Sequence, residues 1–173
     1  MKKLIFFIFV LAFVGCASLM MNIADRDETK STILLASGDE VTILTPTIDE
    51  KLTKEVQGGG FTIENFSSMI QQKVIKELAV RGVKAKAGTD EEKSSIKINI
   101  DSYNRGIGFF RLFPIFGLGH TFLGGTIILK NSQGKRELEI KKVGQNVGFT
   151  QIGDQTKINV EYFAGALAAK ISK

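Results

Sequence analysis

Apolar and polar residues change period several times along this chain, and each change marks an element. Ile96, Ile98 and Ile100 alternate with Lys97, Asn99 and Asp101, the pattern of a strand with one buried face. Val41 and Ile43 share a face of an earlier strand, Glu40 to Pro46, and Pro46 ends that strand or places it at a sheet edge. Between the two strands the period shifts. Ile63, Phe66, Ile70, Val74 and Leu78 recur every three or four residues, which predicts an amphipathic helix from Ile63 to Arg81. Thr62 and Asn65 supply its start and Gly82 its end. Val83 to Ala87 predicts a strand against that helix, and Gly88 to Ser94 a charged loop.

Thr121 to Lys130 is a further apolar strand, and Asn131-Ser132-Gln133-Gly134 turns it into another. There Leu138 and Ile140 face inward, while Lys135, Glu137, Glu139 and Lys141 face out. A last helix follows Asp154, from Gln155 to Ile171, with Ile158, Tyr162 or Phe163, Ala166, Leu167 and Ile171 as its buried stripe. Strand, helix, strand, three-strand meander and helix satisfy the layer rule in one way. The fold class is α+β, a mainly antiparallel sheet of about four to six strands with two amphipathic helices packed on one face.

The N-terminus has a different logic. Lys2 and Lys3 precede an unbroken apolar run from Leu4 to Val14, closed by Gly15-Cys16. Eleven helical residues reach about 16 Å, roughly half a bilayer core, so the run has the length of a signal sequence and not of a spanning helix. Phe13-Val14-Gly15-Cys16 resembles a bacterial lipobox. The resemblance implies a signal peptide over residues 1–15, cleavage before Cys16 and lipidation of Cys16. Residues 16–39 then read as a lipidated tether, and 40–173 as a single α+β domain. A short strand within Ile33-Leu34-Leu35 is compatible with this tether. Several acyl chains, each worth about 0.8 kcal/mol per buried CH2, make anchoring permanent. No Asp directly follows Cys16, a pattern that resembles lipoproteins sent to the outer membrane. The expected location is the bacterial cell envelope, at the outer membrane facing the periplasm.

Composition narrows the function classes. Cys16 is the only cysteine, which rules out an internal disulfide and a thiolate metal cluster. Without Lys2 and Lys3 the formal charge falls from +5 to +3, and basic and acidic residues are interspersed, so no nucleic-acid footprint exists. His120 is the only histidine. A zinc site would need carboxylates for its other ligands, and no Gly-x-Ser-x-Gly elbow serves a serine nucleophile. Gly117-Leu118-Gly119-His120-Thr121-Phe122 lacks the third glycine of a dinucleotide loop, and Gly134-Lys135 sits in a hairpin turn. Asp90-Glu91-Glu92 fits a solvated loop. The carboxylates Asp101 and Glu139 fall on the solvent face of their strands. These residues predict no enzyme, no catalytic residue, no cofactor and no resident metal.

Attention falls instead on Gly106 to Gly125, twenty residues with five Phe, six Gly, one Pro and a single charge, Arg111. Pro114 and the glycines exclude a spanning helix. Two readings fit. Phe109, Phe110, Leu112, Phe113 and Phe116 fold back over the core, or they form an exposed apolar tip that meets a second subunit, a partner or lipid. The strand Ile96 to Tyr103, the Gly-rich joint, the second strand and the Asn131-to-Lys135 corner together resemble a family of small bacterial envelope lipoproteins of uncharacterised function. The layout is similar to the α/β domain of curli-secretion-type accessory lipoproteins, over roughly Val41 to Ile171. That resemblance implies a role in envelope assembly or transport and carries over no catalytic residue. The expected partners are the membrane, through lipidated Cys16, and an envelope protein or a second copy of the chain. The alternative is a carrier of a small apolar ligand or lipid, with the Phe-rich segment lining its pocket.

Overall fold

Ile96, Ile98 and Ile100 are fully buried, and the strand that carries them runs through the middle of the sheet. The computed structural model describes residues 19–89, 93–105, 121–145 and 155–173. Among these residues seven strands build one sheet: β1 (Leu19–Asp25), β2 (Glu40–Leu44), β3 (Thr47–Ile48), β4 (Lys84–Gly88), β5 (Ser95–Asn104), β6 (Thr121–Asn131) and β7 (Gly134–Gln145). Their order is β1-β7-β6-β5-β2-β4, and β3 pairs with β5. The α+β expectation holds, with two refinements to the sheet: it has seven strands against the expected four to six, because β1 and the short β3 join it, and not all of its pairings are antiparallel. Neighbours from β1 to β5 are antiparallel, whereas β2 pairs in parallel with both β4 and β5, as β3 does with β5. The sheet is therefore mixed. The cause is the helical crossover between β2 and β4, which returns the chain to start β4 in the direction of β2.

That crossover holds the short helix α1 (Thr53–Gly58) and the long α2 (Ile63–Val80). Thr62 caps α2 by accepting the Asn65 N–H at 3.1 Å, and Gly82 takes the positive φ of 79° that ends the helix. Phe66, Ile70, Val74 and Leu78 are all buried, as their spacing requires. The second long helix, α3 (Gln155–Ile171), packs on β6 and β7 and beside α2. Touching both layers, α3 buries a wide arc that includes Val160, Phe163, Ala164, Leu167, Ala168 and Ile171. Phe163, not Tyr162, is the core aromatic, and Ile158, Tyr162 and Ala166 are only half-buried. The stripe drawn from spacing is rotated because it allowed for one partner layer and the helix has two.

The tether expectation needs a larger correction. From Leu19 onward the segment belongs to the folded unit: β1 pairs along its whole length with β7. Ile33 and Leu35 are core residues, and Leu35 bridges in parallel to Ser172 at the end of the chain. The polar run from Asp25 to Thr32 disguised this, because one of its charges faces inward. Asp25 meets Arg136 of β7, which is 1% exposed.

Every long strand pairing in the antiparallel half carries an irregularity at the same level. β5 gains a residue between Ile100 and Ser102, and β7 gains one between Ile140 and Val143. The bulge in β5 reverses the alternation, so Tyr103 continues the inward face begun by Ile96. Gly125 is needed there: a Cβ on it would lie 2.2 Å from the Asn99 carbonyl oxygen. Among the described residues, no helix is long and apolar enough to cross a membrane.

Candidate contact surface

Four strand ends meet at one end of the sheet. Leu19 at the start of β1 is in register with Gln145 at the end of β7, and Gln145 with Thr121 at the start of β6. Phe122 is paired in turn with Asn104, at the end of β5. β1 therefore begins at the end of the sheet where β5 stops and β6 starts. The three steps from Cys16 to Leu19 span at most about 10 Å. Cys16 and the predicted contact residues Phe109, Phe110, Leu112, Phe113 and Phe116 lie outside the described residues, as do the signal segment, His120 and Asp90 to Glu92. Phe122, the last aromatic of the Gly/Phe-rich segment, begins β6 half-buried on the face away from the helices, with the Lys142 ammonium 4.9 Å from its ring centre. Thr121 to Gly125 are strand, so the glycines at 124 and 125 serve sheet packing and not a loop.

Beneath this end lies a cluster of buried polar side chains. The Tyr103 hydroxyl is 2.6 Å from the Thr156 hydroxyl, and Thr121 donates to Asn159 Oδ1 at 3.3 Å. Gln155 is buried beside them in the first turn of α3. These contacts bind the start of α3 to β5 and β6. They join no base to a nucleophile. The signal for them in sequence is weak: Thr156 and Asn159 are polar residues at buried helical positions, and nothing in the spacing alone distinguishes them from surface residues.

At the opposite end Arg136 gathers three segments. Its guanidinium forms a bidentate pair with Asp25, at 2.6 and 3.1 Å, and donates to the Ile33 carbonyl at 3.2 Å and the Lys170 carbonyl at 3.0 Å. The last of these sits at the C-terminal turn of α3, where a cation is favoured. The Arg136 hydrogen bonds, partly opposed by burial, hold the Asp25 carboxyl below its ordinary range; Lys170, 3.5 Å away, adds to the effect. A charge pair so enclosed positions chain segments, and it leaves no open coordination or substrate position.

Beside the β1 edge an open apolar groove of about 570 Å³ runs along α3. Ile23 and Val143 belong to its sheet side, while Tyr162, Gly165, Ala166 and Ala169 line it from the helix. Glu161 and Lys170 stand at its two ends. The half-exposed phase of α3 is thus accounted for: Tyr162 and Ala166 face this groove.

The remaining chemistry is sparse. Among the described residues, no group of three or more His, Cys, Asp or Glu is placed to hold a metal. Asp101 is the bulged residue of β5, whereas Glu139 lies two strands away opposite Thr126 and Ala24, so these carboxylates form no pair.

No protein-family model and no curated protein matches the chain. Solved structures do match. A dodecameric PelC variant from Paraburkholderia phytofirmans aligns over 89% of this chain and 99% of its own, with a TM-score of 0.51 at 9% sequence identity. At that identity the likeness establishes a shared fold.

Proposed function

We propose that this chain is a lipid-anchored, non-enzymatic protein of the bacterial envelope that acts as a binding or assembly accessory. It associates with itself or an envelope partner through the Gly/Phe-rich segment 106–125. The carrying observation is the cross-strand row of Leu19, Gln145 and Thr121, with Asn104 at the end of β5 paired beside it to Phe122. It puts both ends of the stretch 106–120 at the sheet end from which the chain leads back to Cys16. An anchor at Cys16 then holds that sheet end close to the outer membrane, and an apolar segment issuing there meets whatever else occupies the surface. Each Phe withdrawn from water in such a contact gains roughly 1.5–3 kcal/mol, so two or three suffice to hold it. A fold shared with a dodecamer supports a homo-oligomeric reading.

Photo-crosslinking in living cells from a reactive residue at Phe113 tests the contact. A discrete adduct, to a second copy or to one envelope protein, supports the proposal. No adduct from a stably folded, membrane-located chain refutes it and makes Phe113 a core residue. Cys16→Ser tests the anchor separately: it must abolish fatty-acid labelling and release the protein from the membrane fraction.

A further inference from the structure

We propose that the groove beside β1 is a two-fold interface, filled by the same face of a second copy of this chain.

The argument begins with the six α3 residues that line it: Glu161, Tyr162, Gly165, Ala166, Ala169 and Lys170. They form two adjacent rows with a spacing of four, and their positions are symmetric about the midpoint between Gly165 and Ala166. When a second α3 is laid antiparallel across that midpoint, Glu161 faces the partner's Lys170 and Tyr162 faces the partner's Ala169. Gly165 faces the partner's Ala166. An acid meets a base at both ends, a ring meets a methyl group inside them, and the two smallest residues meet at the axis. Small residues in the i±4 rows are what allow helices to approach to about 8 Å. Such a self-complementary patch is the requirement of an isologous contact.

Charge also selects the direction. In the parallel orientation Glu161 would face Glu161 and Lys170 would face Lys170, so only the end-for-end arrangement is attractive. Each rim charge has a neighbour within its own chain, Lys73 for Glu161 and Asp25 for Lys170. The side chains nonetheless remain 53% and 41% exposed, and a carboxylate or an ammonium can serve a second partner. Ile23, half-buried on β1, extends the apolar surface from helix to sheet.

The described residues that line this groove lie outside the segment 106–125 in the chain. A chain with both contacts has one two-fold interface and one further contact, enough to build assemblies larger than a dimer.

The test uses the mature chain with Cys16→Ser, followed by sedimentation over a range of concentrations. Glu161→Lys alone and Lys170→Glu alone should each weaken self-association at least tenfold, because each sets like charges face to face. The double reversal should restore it. Since either single change disturbs an internal pair, a second measurement stands beside it. Tyr162→Cys with Ala169→Cys places two thiols about 10.5 Å apart on one helix, too far for a bridge within one chain. Under oxidation the double variant should give a disulfide dimer, and neither single variant should give a dimer at comparable yield.

A chain that stays monomeric at all concentrations, with or without a bound lipid seen by native mass spectrometry, overturns the proposal. So does self-association indifferent to both reversals with no dimer from the double cysteine. That second result leaves the contact through segment 106–125 standing, because its crosslinks from Phe113 do not depend on α3.

Discussion

Arg136 and Asp25 sit 111 residues apart in the chain and form a bidentate ion pair in which the Arg136 side chain is 2% exposed and that of Asp25 6%. Through it the first strand, the segment around Ile33 and the last turn of α3 become one unit. Breaking one side of a buried pair strands the other charge, which costs about 3–5 kcal/mol. Asp25→Ala and Arg136→Met should each lower unfolding stability by that order in urea titration. The double variant should lose much less than the sum. A loss under about 1 kcal/mol for either single change would mean that the pair behaves as a surface contact.

The same pair sets an acid response. Asp25 binds its proton more weakly folded than unfolded, chiefly because of the Arg136 hydrogen bonds. The unfolded chain therefore takes up more protons on acidification, and stability falls as pH falls. The contribution is complete above the ordinary aspartate value of 3.8 and is lost below it as pH approaches the depressed folded value. Asp25→Asn, less stable at neutral pH, should show a shallower decline below pH 3.8 when unfolding is followed by circular dichroism. Equal slopes for the two proteins would remove Asp25 as the cause.

Much of the architecture was legible because its signals are local. The isoleucines of β5, the stripe of α2 with its Thr62 cap, and the turn into β7 each follow from period or turn chemistry. What escaped depends on contacts distant in sequence. Arg136 looks like part of a charged hairpin until Asp25 is brought to it, and Asp25 looks like tether until β1 pairs with β7. The phase of α3 escaped for a related reason: it answers to the sheet and to α2 together. Of the candidate contact surface, sequence picked out the apolar segment, while the meeting of its flanking strand ends, Asn104 and Thr121, with Leu19 and Gln145 at one end of the sheet required the strand registers. The groove on α3 carried no recognisable motif, only alanines and one glycine between two opposite charges.

If residues 16–39 were merely a tether, removing them would leave the domain intact. The structure predicts otherwise. A chain beginning at Arg26 lacks β1, uncovers the edge of β7 and leaves Arg136 without its carboxylate. It should unfold or aggregate under conditions where the chain beginning at Ala17 gives a cooperative thermal transition. Matching transition temperatures for the two chains would restore the tether.

The glycines of the antiparallel half offer the last test, because they separate close packing from loop freedom. Gly125 lies in β6 where a Cβ would stand 2.2 Å from the Asn99 carbonyl oxygen, and one on Gly144 in β7 would stand 1.9 Å from that of Thr121. Both obstacles are backbone atoms of the neighbouring strand, so neither can rotate away, and relief requires the strands to part near the bulges. Gly60, by contrast, has open space around it but a φ of 85°, so Ala there meets only local backbone strain. Gly125→Ala and Gly144→Ala should therefore each cost about 2 kcal/mol or more, as overpacking does. Gly60→Ala should cost about 1 kcal/mol. Urea unfolding of the three variants orders them. A Gly125→Ala chain as stable as the parent would show that the sheet yields at this level, and that the glycine is not what holds β5 and β6 together.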